Sequence, residues 1–232
     1  RELRDIRALT AVRIALLDAA IAHSVDLDLE AAAAALTRAR DRLDTLRARG
    51  TATPETRALE SDWAAEQATL LQRQGRHRES RDVAGAALAQ LVDTGAPDPL
   101  HEVTIQRSRL LDLLAASRVN DGQAAQAIAP YREQLQLLET AARTSPDDVV
   151  IGRHVARAGW SLGTTLLELD RAAEAEPLLA QSRARFEQLL LLEPDDRELT
   201  HHHDDAASAH AQALARLRRF REAEPILRLS IA

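Results

Sequence analysis

One ten-residue phrase occurs twice in this chain, and that recurrence constrains the fold more than any local feature. Asp170-Arg-Ala-Ala-Glu-Ala-Glu-Pro-Leu-Leu179 returns as Arg218-Arg-Phe-Arg-Glu-Ala-Glu-Pro-Ile-Leu227, 48 positions later. The same step back from Ala175 reaches Ala127 in Asp121-Gly-Gln-Ala-Ala-Gln-Ala127, and Ser145-Pro-Asp-Asp148 stands 48 before Glu193-Pro-Asp-Asp196. A further 47 places Ser80 of Gly75-Arg-His-Arg-Glu-Ser80 at the equivalent point. Another 47 reaches Ala33, where only an Ala-rich stretch matches. A unit that recurs in this way stacks on its neighbours, because one copy alone leaves apolar faces in water.

Each period is helical twice over. Val155, Gly159, Leu162, Leu166 and Leu169 step by four and three, which lines one helix face. After a turn at Asp170, the positions Ala175, Leu178, Leu179, Ser182, Phe186 and Leu189 form a second stripe. Asp170 reads as an N-cap, and Pro194 followed by two Asp closes one hairpin and opens the next. Gly159 and Gly163 leave room for close helix approach. Composition agrees: 46 of the 232 residues are Ala and 37 are Leu, against 2 Trp, 1 Tyr and 2 Phe. That supply is too poor in aromatic and β-branched residues for a sandwich or barrel. The periodicity predicts helices at 2–22, 28–48, 55–74, 78–93, 98–119, 123–143, 148–169, 171–192, 197–217 and 220–232. Pro177 and Pro225 should kink their helices or delay their start.

Leu162-Gly163, Leu166, Ala175 and the turn position occupied by Asp170, Gly122 and Gly75 resemble the tetratricopeptide repeat. In that family a Leu-Gly pair is followed by a bulky residue three on and by an Ala in the second helix twelve on, the distance from Gly163 to Ala175. The period is longer than the family's usual 34 residues, Leu166 replaces the usual Tyr, and the second helix is lengthened. The resemblance is good from Pro54 to Ala232 and poor from Arg1 to Gly50. It implies an all-α fold: a right-handed superhelical solenoid of about five α-hairpins, one domain over 1–232. The Ala-Glu-Pro-Leu-Leu phrase and the Pro-Asp-Asp linkers look like arrays that bacterial Ser/Thr kinases and related signalling proteins carry outside their catalytic domain.

Several chemistries are disfavoured by what is missing. There is no Cys, so no disulfide, thiolate metal site or thiol nucleophile. All 30 cationic residues are Arg, which removes the P-loop lysine and Schiff-base chemistry. The net charge of −6 does not suit a nucleic-acid binder. No apolar run is long enough to span a bilayer. A chain that starts at Arg1 and lacks Met reads as an excerpt or a processed product. Gly159-Trp-Ser-Leu-Gly163 matches the hydrolase nucleophile elbow, with Val149, Val150 and Ile151 as its strand. The helical stripe runs straight through Ser161, however, so no enzyme activity is expected there. His201-His-His-Asp-Asp205 invites a metal reading, but adjacent helical residues point about 100° apart. Only His201 and Asp205 could share an ion. His203 and His210 fall on the packing stripe, roughly 10.5 Å apart along the axis. No metal or cofactor is expected, although a cluster that titrates with pH is conceivable.

In the family this chain resembles, the first helix of each hairpin lines a concave groove. The repeat register then aligns Arg157, Trp160, Thr164 and Glu168 with Arg109, Asp112, Ala116 and Asn120, with Asp205, Ser208, Gln212 and Arg216, and with Asp62, Ala65, Thr69 and Arg73. Arg109 and Arg157 stack in one row, roughly 10 Å apart at typical helix spacings, as an anion-capturing pair would. Trp160 beside them could anchor an apolar group. Trp63 lies off this row and reads as core packing. The expected site is therefore Arg109, Asp112, Arg157, Trp160, Thr164, Glu168, Gln212 and Arg216. The expected partner is a protein or peptide of acidic character, bound by the sensing or scaffolding part of a bacterial signalling protein such as a membrane-anchored Ser/Thr kinase. Such a sensor would be periplasmic; a free adaptor would be cytoplasmic. The alternative is a small-ligand or metal sensor using the groove or the His cluster.

Overall fold

The computed structural model describes residues 2–25, 27–50, 53–91, 98 and 101–229; expected helix ends at 92–93, 99–100 and 230–232 lie outside them. Among the described residues there are ten α-helices and no strand: α1 (Glu2–Ser24), α2 (Leu29–Ala48), α3 (Pro54–Arg73), α4 (His77–Gln90), α5 (Glu102–Asn120), α6 (Ala124–Thr144), α7 (Val149–Glu168), α8 (Ala172–Leu192), α9 (Arg197–Arg216) and α10 (Phe220–Leu229). No described helix is long and apolar enough to cross a membrane. The largest departure from the expected boundaries is the start of α5. His101 has φ 54°, a left-handed conformation that cannot continue a helix, and its ring is hydrogen-bonded to Ser145 Oγ at 3.0 Å.

Helix starts follow local chemistry. Asp28, Asp148 and Asp196 each accept hydrogen bonds from backbone amides of the first turn of α2, α7 and α9, and Thr53 forms a reciprocal capping box with Thr56 at the start of α3. The second Asp of each Pro-Asp-Asp linker is thus the cap. Asp170 is not one: it follows the end of α7 with φ 59°, and its amide donates back to the Leu167 carbonyl. Gly75, Gly122 and Arg218 hold the same left-handed conformation at the equivalent turns. Three of the four turns close identically: Arg76, Arg171 and Arg219 amides donate to Leu71, Leu166 and Leu214 carbonyls at 2.8, 2.8 and 2.9 Å. The same three arginines pair with Glu79, Glu174 and Glu222 one turn into the following helix. Pro177 and Pro225 lie inside α8 and α10, which begin ahead of them at Ala172 and Phe220, so neither proline delays its helix.

The chain divides into two compact units. The first comprises 1–98 and 109–121, the second 99–108 and 122–232, so α5 contributes to both. In the first, α1 packs on α2 and both on α3, around Val12, Ala19, Leu36, Leu43 and Leu59; Trp63 packs against this core and donates to the Leu36 carbonyl at 3.0 Å. A second cluster joins Ala68 and Ala84 of the α3–α4 hairpin to Leu110 and Leu113 of α5. In the second unit, α7 lies against α6 and α8, and α8 against α9. Val155, Leu162, Leu166, Leu179, Phe186 and Leu189 are all buried, as the two stripes require. Gly163 faces Leu179 so closely that an added Cβ would stand 2.6 Å from its Cγ.

Candidate functional site

With one face of α7 committed to the core, Arg157, Trp160, Thr164 and Glu168 fall together on another. Arg157 and Glu168 are exposed and Trp160 and Thr164 half-buried. The Thr164 hydroxyl donates to the Trp160 carbonyl at 2.9 Å, so it is engaged within the helix. Trp160 packs on the cluster containing Phe186 and Leu199, while its indole N–H has no hydrogen-bond partner among the described residues. Arg157 makes no ion pair among the described residues.

The neighbouring α9 continues this face. His202 lies over Phe186 with ring centroids 5.7 Å apart and near Trp160 at 6.4 Å. Burial holds its imidazole below the usual histidine range, and the charge of Arg157 adds to that effect. Asp205 lies 3.5 Å from His201, while Ser208 and Gln212 are exposed. Arg216 donates to the Leu167 carbonyl at 2.5 Å and lies 3.4 Å from Asp170, so it links the end of α9 to that of α7. His203 is half-buried beside Asp204, and His210 is buried 3.5 Å from Glu176. The three consecutive histidines point three ways. Among the described residues no three His, Asp or Glu side chains gather as a metal-ligand set.

The corresponding face of the first unit carries a charge cluster. Glu66 of α3, only 6% exposed, receives Arg109 Nη2 on one carboxylate oxygen and faces His23 Nε2 with the other, both at 2.6 Å. Arg109 therefore has an internal partner. Asp112 also interacts within the fold. Ala65 is buried in the α3–α5 cluster, Thr69 donates to its carbonyl, and Arg73 is exposed. Sequence reasoning overlooked His23 and Glu66, although one signal existed. The register position of Glu66 holds Leu113, Ser161 and Ala209 in the other copies, and a lone carboxylate among such residues marks a buried charge in need of a partner.

Ser161 sits in the middle of unbroken α7, with Val149, Val150 and Ile151 in its first turn. There is no strand and no strained turn to raise its hydroxyl, so the G-x-S-x-G spacing has no nucleophile geometry here.

A tetratricopeptide-like array of α-hairpins is the class that these turns, capped first helices and buried stripes define. Solved structures agree on the fold. RapI in its apo form is similar at a TM-score of 0.69 with 14% identity, covering 94% of this chain and 68% of that one. The nearly identical tetratricopeptide-like repeats of a kinesin light chain from Podospora anserina give 0.52 with 13% identity over 97% and 92%. BtubC from P. vanneervenii gives 0.50 with 14% identity over 84% and 87%. No protein-family model and no curated protein matches the sequence.

Proposed function

We propose that the chain is a non-catalytic binding module for an acidic protein or peptide segment, docked on the α7–α9 face of the second unit. The observation that carries this is Arg157. It is an exposed guanidinium without a carboxylate partner among the described residues, one turn from a half-buried Trp160. A free cation beside a fixed aromatic surface suits a segment with an acidic residue next to an apolar one. Thr164, Glu168 and Gln212 border the contact, and Arg216 fixes the helix ends beneath it. In the first unit, Arg109 and Asp112 serve a partner only by exchanging the contacts they already make. The chain's net charge of −6 favours selectivity over indiscriminate capture of acidic chains. The likeness to repeat arrays known as binding folds supports the reading, and the Ala-Glu-Pro-Leu-Leu phrase supports a place within a bacterial signalling protein such as a membrane-anchored Ser/Thr kinase.

The test is a peptide array probed with the chain and with Arg157→Glu. Acidic peptides should be retained over their Asn/Gln counterparts, and the variant should bind them about tenfold or more weakly, as loss of one charge-assisted contact implies. Arg157 is exposed, so the melt should not change. Equal retention by both proteins would overturn the reading. The signalling context is tested separately by the coding sequence upstream of Arg1, where a kinase domain and one apolar span would support it.

A further inference from the structure

A cavity of about 340 Å³ lies in the first unit among α2, α3 and α4, away from the α7–α9 face. Its volume falls within the range of small-ligand sites. Three arginines line it, Arg40, Arg47 and Arg57, together with Glu60, Ser61 and Trp63, while Val83 and Ala87 of α4 provide an apolar wall. Arg47 is paired with Glu60 at 2.7 Å, and Arg40 is paired with Asp44 at 2.9 Å and stacked 5.0 Å from the Trp63 ring centroid. Arg57 is exposed and has no ion pair among the described residues, so the lining carries uncompensated positive charge in an acidic protein.

A second observation points the same way. Ser61 is only 6% exposed, borders the cavity, and its hydroxyl has no hydrogen-bond partner among the described residues. It lies one helical turn beyond Arg57, so both side chains leave the same face of α3. Buried hydroxyls are ordinarily satisfied, and one beside a cationic cavity is a donor in want of an acceptor. The indole is already oriented, because its N–H is fixed on the Leu36 carbonyl. We propose that this cavity binds a small organic anion. Arg57 takes its carboxylate or phosphate head, the Ser61 hydroxyl donates to the same head, and the body lies between Trp63 and the aliphatic wall of α4.

The experiment follows the indole N–H resonance of Trp63 in a Trp160→Phe chain, where it is the sole tryptophan. Phenyl phosphate and phenylacetate are titrated beside neutral 2-phenylethanol and inorganic phosphate. Saturable shifts with the two aromatic anions, absent with the alcohol and weaker with inorganic phosphate, are expected. Arg57→Gln should weaken binding about tenfold, the loss of one charge-assisted contact, and Ser61→Ala should weaken it less. Ala86→Phe, at the exposed rim, should obstruct binding while leaving the fold intact. No shift with either anion, equal binding of the alcohol, or undiminished binding by Arg57→Gln would overturn the proposal.

Discussion

Gly163→Ala and Gly159→Ala should change stability in opposite directions, although the two residues lie one turn apart on α7 and both face α8. Replacing a helical glycine with alanine favours the helix by about 0.8–1.0 kcal/mol wherever the new methyl fits. At Gly159 it fits: the added Cβ would stand 3.6 Å from the Leu178 carbonyl oxygen and 3.6 Å from Ser182 Cβ, ordinary contact distances. At Gly163 it would stand 2.6 Å from Leu179 Cγ and 2.7 Å from its Cδ2. Carbon atoms prefer about 3.5–4.0 Å, so α7 and α8 must part by about 1 Å or Leu179 must leave its rotamer. Leu179 is 0% exposed and the clash is with its branch point, so the side chain has nowhere to swing. Overpacking of this kind costs about 1–3 kcal/mol. The net result is a loss of up to about 2 kcal/mol at Gly163, and a gain of up to about 1 kcal/mol at Gly159. Gly163→Val, with two further methyls and poorer helix propensity, should lose several kcal/mol. Urea unfolding with an unchanged slope measures all three as shifts in midpoint. A Gly163→Ala protein that gained stability as Gly159→Ala does would refute the argument that this contact sets the α7–α8 spacing.

Three further outcomes follow from other features. Arg218→Gly should raise stability by up to about 1 kcal/mol and Asp170→Gly by less, because both replace a side chain in the left-handed region with the residue that Gly75 and Gly122 supply at equivalent turns; thermal unfolding reads both. Acidification below about pH 6.5 should destabilise the second unit, because burial holds His202 and His210 below their ordinary value. Their neutral forms belong to the fold, so the unfolded chain binds protons first and stability drops with pH by at most about 1.4 kcal/mol per unit per histidine. Replacing both with Gln should flatten that slope in denaturant melts between pH 5 and 7. Glu66→Gln should cost about 1–3 kcal/mol, since it removes the buried charge that Arg109 and His23 face; an unchanged melt would mean that the cluster is incidental.

Nearly all of the fold was legible because its determinants are local or periodic. The stripe from Val155 to Leu166, the Asp148 and Asp196 caps and the glycine turns each lie within a few residues of what they control. Asp170 shows where that legibility stops. As a residue type it suits an N-cap, yet it occupies the turn position that Gly75 and Gly122 fill, and the left-handed backbone there leaves the next helix to begin without a side-chain cap at Arg171. The repeat register held the answer, and the single-residue preference obscured it.

The site was harder to read because a groove position specifies only a direction, not a partner. Arg109 and Arg157 are equivalent in the register, yet one donates to Glu66 and the other has no ion pair among the described residues. What separates them is the residue one copy back at the register position of Glu66, which for Arg157 is Leu113. An array conserves its backbone directions because turns and packing stripes recur in every copy, whereas charge pairs join residues about one period apart, such as Glu66 and Arg109, and so depend on two copies at once. Substitution of the carboxylate in one copy leaves the arginine of the next without its structural partner. On the reading proposed above, binding capacity resides where the repeats differ, and Arg157 is available because the register position one copy before it holds Leu113 instead of a carboxylate.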